Sequence, residues 1–338
     1  MLSKRSKKLE ANKFVLLSSP LMNEMGDEIC AQLENRGVKL THHKVEYTIF
    51  ANGEILARIP ETIRGQHVFF LDALQHPDPN TALLSMLITM NAIKYASASA
   101  ITLVAPFLPY LRQDRKDQPR VPITARLLAD LIEANKLVKS IITIDMHAEQ
   151  IPGFFSIPVD NLVGVKVFID HMREELRDEL EIGNVVVLSP DFGGAKRNRK
   201  AASALGDIPV SIIEKRRVGP NKAEVVSIMG EPVTGKTVLS FEDIACTGTT
   251  AIGSQDKMME MKAKAVYLCA THGIFSRKAE DRFRDTNIKV FTTDSIPRSP
   301  QYYEKNSSWL KKISIVPYFA NAMYETMLVG GSISKLSI

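Results

Sequence analysis

The sequence predicts an α/β protein of two domains, each a mostly parallel sheet flanked by helices. Three observations lead there. The chain has 338 residues, and single hydrophobic cores stop growing at about 250–300 residues, so two domains are favoured. Short β-rich runs alternate with helical patterns along the chain, which is the mark of parallel strands joined by crossover helices. The strand-like runs are continuously apolar rather than alternating, as expected of strands covered on both faces.

The elements follow in order. "KFVLLSS" reads as a strand and precedes the helical "MNEMGDEICAQLENRG"; "HVFFLDAL" precedes "NTALLSMLITMNAIKYAS"; "AITLVAPF" precedes "ITARLLADLIEAN"; "SIITIDMHA" closes the first half. The second half repeats the style. "NVVVLSPD" leads to "AKRNRKAASALG", "TVLSFED" to "AIGSQDKMMEMKAK", and "AVYLCATHG" to "SRKAEDRFRDT", with "IKVFTTDS" after them. The final "VPYFANAMYETMLVGG" reads as a closing helix. The expected organisation is a basic tail over 1–12, a first domain over 13–162, a second over 163–311, and a closing strand and helix over 312–338 that pack on the first domain. No low-complexity linker separates the halves.

Composition narrows the class. The chain is 45% hydrophobic and 24% charged, as in ordinary soluble domains. No apolar run reaches membrane-spanning length, and no signal-type segment follows the basic "MLSKRSKKLEANK". Cys30, Cys246 and Cys269 have no metal-like spacing, which points to a reducing, cytoplasmic setting without disulfides. A net charge of +5 permits anionic ligands, and no nucleic-acid-binding signature accompanies it.

In open parallel sheets ligands bind at the carboxyl ends of the strands. Four polar motifs fall at such ends, which points to a shared cleft. "RQDRKDQPR" sets Arg112, Arg115, Lys116 and Arg120 against Asp114 and Asp117, and Gln113 can hydrogen-bond a base. Arginines clamp polyphosphate with paired N–H donors; the plain alternative is a surface loop of self-paired charges. "DMHAEQ" holds Asp145, His147 and Glu149. A neutral imidazole beside phosphates can meet a divalent metal, or be a histidine satisfied by a backbone carbonyl. "SPDFGG" offers Asp191 as a partner for Mg²⁺, while Gly193 and Gly194 let backbone N–H groups approach a diphosphate. It also suits a plain strand-to-helix turn.

"FEDIACTGTT" places Glu242 and Asp243 where ribose hydroxyls can bond to them, and Thr247, Gly248, Thr249 and Thr250 before a helix start suited to phosphate. "EKRRVGPNKAE" is a basic, Gly/Pro-containing loop between strand-like runs. Lys215, Arg216 and Arg217 could close over a transferring phosphoryl group, or it could be a solvated β-hairpin.

"RQDRKD", "DMHAEQIPGFF", "IPVDNL", "SPDFGGAKR", "EKRR…NKAEV" and "ATHGIFS", in that order, resemble ribose-phosphate diphosphokinases, the enzymes that make phosphoribosyl pyrophosphate (PRPP). The resemblance runs from "FANGE" to "ISIVP". It implies two phosphoribosyltransferase-like domains, dimer-based homo-oligomers up to hexamers, and Mg²⁺-dependent transfer of the β,γ-diphosphoryl group of ATP to the C1 hydroxyl of ribose 5-phosphate.

Carried over by position, Arg112, Gln113 and Asp117 contact ATP. Phe50, Asn52 and Glu54 reach the ATP of a neighbouring subunit, and His147 and Asp191 lie at Mg²⁺ and the phosphates. Asp191, Phe192, Gly193 and Gly194 form the diphosphate loop, and Lys215 and Arg217 are the catalytic cations. Glu242, Asp243, Cys246, Thr247, Gly248, Thr249 and Thr250 hold ribose 5-phosphate.

The chain departs from the family pattern in places. Glu242 and Cys246 stand where aspartates are usual, Thr249 replaces a glycine, and Asn52 replaces an aspartate. Ser276-Arg277-Lys278-Ala279 replaces "SGPA", and the ending "SISKLSI" lacks the usual Tyr-Leu-Phe. Two alternatives therefore stand beside the enzyme: a scaffolding or regulatory homologue, and a base phosphoribosyltransferase.

Overall fold

Phe14–Ser18 (β1) is a buried apolar strand that becomes the second strand of the first sheet. A computed structural model describes residues 13–75, 78–219, 222–247, 258 and 260–336. The chain divides into two compact units, one made of Met1–Leu162 with Ile315–Ser337 and the other of Val163–Ser314.

In the first unit β1 leads to Asn23–Glu34 (α1), whose Met25, Ile29 and Leu33 recur at helical spacing and are buried. Thr41–Lys44 (β2) follows, then Glu46–Ile49 (β3) and Ile55–Arg58 (β4), an antiparallel pair turning at Gly53 with φ +89°. His67–Leu71 (β5), Pro79–Tyr95 (α2), Ala100–Val104 (β6), Thr124–Glu133 (α3), Val138–Ile144 (β7) and Val159–Leu162 (β8) complete this stretch. Asp78 caps α2, accepting from the N–H groups of Asn80 and Thr81 at 2.9 and 3.1 Å, with Pro79 in the first turn.

The strands order β2-β1-β5-β6-β7-β8, and every neighbouring pair is parallel. Val15, Phe70, Leu103 and Ile141 from the sheet pack with Met86, Met90 and Ile132 from the helices. Each such fully buried side chain contributes about 1.5–3 kcal/mol relative to exposure.

The second unit begins with Val165–Glu175 (α4) and Arg177–Glu181 (α5). Val185–Ser189 (β9), Ala195–Ala204 (α6), Val210–Gly219 (β10), Lys222–Met229 (β11), Thr237–Ala245 (β12) and Ala265–Gly273 (β13) follow. Ala279–Arg284 (α7), Ile288–Thr293 (β14), Pro300–Lys305 (α8) and Leu310–Ile313 (β15) end it. The order is β11-β10-β9-β12-β13-β14-β15, parallel except for the β10–β11 hairpin. Trp309 stacks on Phe283 at 5.1 Å beneath β13 and β14.

After β15 the chain returns to the first unit as Val316–Met327 (α9). Its Phe319, Ala320, Met323 and Met327 are buried, and Arg36 donates to Asn321 at 2.6 Å. No described helix is long and apolar enough to cross a membrane.

Of the two readings of the basic segment, loop and β-hairpin, the structure has the hairpin ladder. Lys215 pairs with Val225 and Arg217 with Ala223, with register shifts on either side of residues 215–217. Charged side chains do not prevent backbone pairing at a sheet edge. The helix expected at "AIGSQDKMMEMKAK" lies largely outside the described residues, although Met258 and Glu260 are helical.

Candidate active site

Two loops emerge from the carboxyl ends of strands in the first unit. After β6, Arg112, Gln113 and Asp117 are exposed. This loop is tied to the start of α3, where Ala125 N–H donates to the Gln113 carbonyl at 3.2 Å and the Thr124 hydroxyl to the Tyr110 carbonyl at 2.8 Å. After β7, Asp145 adopts φ +46°, a left-handed conformation uncommon outside glycine and least costly for Asn and Asp. The next residue, Met146, is held by the Asn161 side chain at 3.1 Å, and exposed His147 follows.

The two loops meet where Gln150 donates to Asp114 at 2.6 Å. The structure therefore brings the Arg112–Asp117 and His147 segments together. Phe50, Asn52 and Glu54 are instead carried by the exposed β3–β4 turn, closed by Phe50 N–H to the Glu54 carbonyl at 2.8 Å.

In the second unit the turn expected to receive a diphosphate is well specified. β9 stops after Ser189, whose hydroxyl donates to the Asp191 carbonyl at 2.7 Å. The Asp191 carboxylate then accepts from Gly194 N–H at 2.9 Å and closes the first turn of α6. A Cβ on Gly194 would sit 3.1 Å from the Ser189 hydroxyl and 3.4 Å from the Asn198 amide, tighter than most packed contacts, so glycine fits the turn best. Phe192 is 61% exposed.

On β12, Glu242 is half-buried and Asp243 is buried. Arg197, in the first turn of α6, places its guanidinium 3.4 Å from Asp243. A buried carboxylate needs such partners, since an uncompensated one is strongly destabilising. Beside it, Asn198 bonds both backbone groups of Phe241 and the Gly194 carbonyl. The Asp191 turn and the acid pair are thus joined through one helical turn.

Past the acids, Cys246 places its sulfur 3.1 Å from the Ser276 hydroxyl, and Ser276 N–H donates back to the Cys246 carbonyl at 2.9 Å. Arg282 donates to the Thr247 carbonyl at 3.0 Å. The altered "SRKA" segment makes the Ser276 contacts from a cramped backbone. Phe275, Arg277 and Lys278 have φ of +45°, +55° and +60°, values that glycine adopts at least cost. Gly248, Thr249 and Thr250 lie outside the described residues.

Sequence reasoning missed Arg197, Asn198, Ser276 and Arg282. Arg197 stood inside a quoted motif. Asn198 had a signal too, as a polar residue on the same helical face as buried Ala201 and Ala202. Among the described residues no three His, Cys, Asp or Glu side chains converge as a metal-binding group.

Comparison with known proteins adds three findings. Residues 14–135 match the model described as the N-terminal domain of ribose phosphate pyrophosphokinase, and residues 163–305 match the phosphoribosyl transferase domain. A ribose-phosphate pyrophosphokinase of Aquifex aeolicus is 39% identical over 92% of this chain and 95% of its own, and one of Caldanaerobacter subterraneus is 41% identical over 90% and 92%. The crystal structure of phosphoribosylpyrophosphate synthetase from Mycobacterium smegmatis superposes with a TM-score of 0.82 at 33% identity, covering 93% of this chain and 98% of that one.

Proposed function

The chain belongs to the ribose-phosphate pyrophosphokinase family, and from that premise we propose that it transfers the β,γ-diphosphoryl group of ATP to the C1 hydroxyl of ribose 5-phosphate. The products are PRPP and AMP. The C1 oxygen forms a bond to the β-phosphorus, and the bond from that phosphorus to the α,β-bridging oxygen breaks. The bridging oxygen leaves with AMP and the hydroxyl proton is released.

One observation supports the reading most: an acid pair, its Asp243 buried and matched by Arg197, is tied to a glycine turn at a helix start. In this role Glu242 and Asp243 accept from ribose hydroxyls, and Cys246 and Thr247 with residues 248–250 surround the 5-phosphate. The N–H groups around Gly193 and Gly194 receive the diphosphate. Arg112, Gln113, Asp117 and His147 hold ATP, and Lys215 and Arg217, two positions apart on β10, meet the charge that develops during transfer. The scaffolding and base-transferase alternatives gain no support, because relatives sharing the pyrophosphokinase name match along nearly the whole chain.

The donor set fits Mg²⁺. That ion takes one or two carboxylates plus substrate phosphates rather than an all-protein cage, and Asp191 is a single exposed carboxylate at the turn. Asp191, with His147 on the phosphate side, would hold it, and bound Mg²⁺ would neutralise charge on the β- and γ-oxygens. The proposal extends to a cytoplasmic homo-oligomer built of dimers, up to a hexamer, in which Phe50, Asn52 and Glu54 reach a neighbour's ATP. The 48% exposure of Phe50 supports that role. The test is AMP release by purified protein with ATP and Mg²⁺. Ribose 5-phosphate should accelerate it strongly; equal rates with and without the sugar would overturn the reading.

A further inference from the structure

β12 pairs with β13 from Thr237 to Ala245, but with β9 only over Thr237–Leu239. Beyond Leu239 the β9 side of β12 has no strand partner among the described residues. Phe241 is buried there, one residue before the acid pair, and unsatisfied backbone groups in such a place are costly. The Asn198 side chain takes the position of the missing strand. Its Oδ1 accepts from Phe241 N–H at 2.9 Å, and its Nδ2 donates to the Phe241 carbonyl at 3.1 Å. A primary amide offers both an acceptor and donors, so it imitates a peptide unit.

The same Nδ2 reaches the Gly194 carbonyl at 3.0 Å. Asn198 is fully buried within α6, where asparagine is a poor helix former. Its neighbour Arg197 adds a second tie from the same helix to Asp243.

We propose that Asn198 is a positioning residue: it fixes the Asp191–Gly194 turn relative to the Glu242–Asp243 pair, and so selects a ligand that carries a diphosphate and a ribose joined at one carbon. The inference rests on the function proposed above. PRPP uses both elements at once, and so does the transition state that forms it. Ribose 5-phosphate uses the acids without the diphosphate turn, and ATP uses the turn without the acids. A displaced turn therefore weakens PRPP selectively.

The experiment measures dissociation constants for PRPP, ribose 5-phosphate and ATP, with kcat, for the full chain and for Asn198→Leu. Leucine has similar volume and no polar atoms. PRPP affinity should fall about tenfold or more and kcat about a hundredfold, as for misplacement of about 1 Å, with the two substrate affinities within about twofold. Asn198→Asp provides a second, isosteric variant. It keeps the acceptor for Phe241 N–H and loses the donors, so its deficit relative to wild type should shrink at low pH, where a protonated carboxyl again donates. Equal loss of all three affinities, loss of none, or two variants that both fail to fold would overturn the positioning role. Wild-type protein that binds none of the three ligands would instead overturn the underlying function.

Discussion

Changing Cys246 to Asp should tighten ribose 5-phosphate binding about tenfold and leave ATP binding nearly unchanged. The cysteine is half-buried, with its sulfur 3.1 Å from the Ser276 hydroxyl. A carboxylate there keeps a hydroxyl partner and gains a charged acceptor for the sugar, a bond of about 1.5–3 kcal/mol. Repulsion opposes it. Asp243 lies three residues back, about 10 Å along an extended chain, where like charges cost about 0.4–1.7 kcal/mol at effective dielectrics of 80 to 20. Asp243 is already matched by Arg197, and Arg282 lies at the adjoining Thr247 carbonyl, so the lower figure applies best. The balance is about 1.1–2.6 kcal/mol, so a gain of about tenfold in affinity lies within it, toward its lower end. Calorimetry with ribose 5-phosphate, run alongside a melting curve, reads both effects. Unchanged affinity with a lowered melting temperature would refute the reasoning, because it would show a buried position that the sugar does not use.

Three other predictions follow from particular contacts. Lys215→Ala and Arg217→Ala should each lower kcat by about 2–4 kcal/mol of barrier while the ATP dissociation constant moves little; parallel losses in both would make the hairpin a binding element only. Burial pushes the Asp72 carboxyl up to about 6, partly offset by the Ala73 N–H that donates to it at 2.8 Å. Because its folded value exceeds its unfolded one, stability falls as pH rises from about 4 to 6, so Asp72→Asn should gain about 2–3 kcal/mol at pH 7 and little at pH 4; denaturation curves that shift equally at both pH values would contradict this. Gly26→Ala should cost about 1–3 kcal/mol, since its Cβ would stand 2.6 Å from the His42 ring that Ser18 and Asp27 hold at 2.7 Å each, and an unchanged melting temperature would show that the ring moves freely.

The central strands were legible because parallel strands covered on both faces read as unbroken apolar runs. β1, β5, β6, β9 and β13 are of this kind, while β12 and β14 are interrupted by Ser240 and Lys289. β2 is "THHK", β8 is "VDNL" and β15 is "LKKI", short strands at the outer edges of the sheets whose polar residues carry no period-two signal. The β10–β11 hairpin was legible only as one of two alternatives, because its cations suit a phosphate-binding loop equally well.

In the site, the Asp191 turn and the acid pair were legible because strand ends expose chemistry in a fixed place. Arg197 and Asn198 were not, because their roles depend on which face of α6 meets β12, a tertiary fact. The contact between Cys246 and Ser276 joins residues thirty apart and depends on the left-handed backbone at Phe275, Arg277 and Lys278, which the sequence does not announce.

The most direct measurement is the identity of the products. Purified protein with ATP, Mg²⁺ and ribose 5-phosphate, followed by phosphorus-31 NMR, should yield PRPP and AMP in equal amounts. Accumulation of ADP would mean transfer of a single phosphoryl group, and persistence of ATP beside unchanged ribose 5-phosphate would mean no transfer; either result contradicts the account.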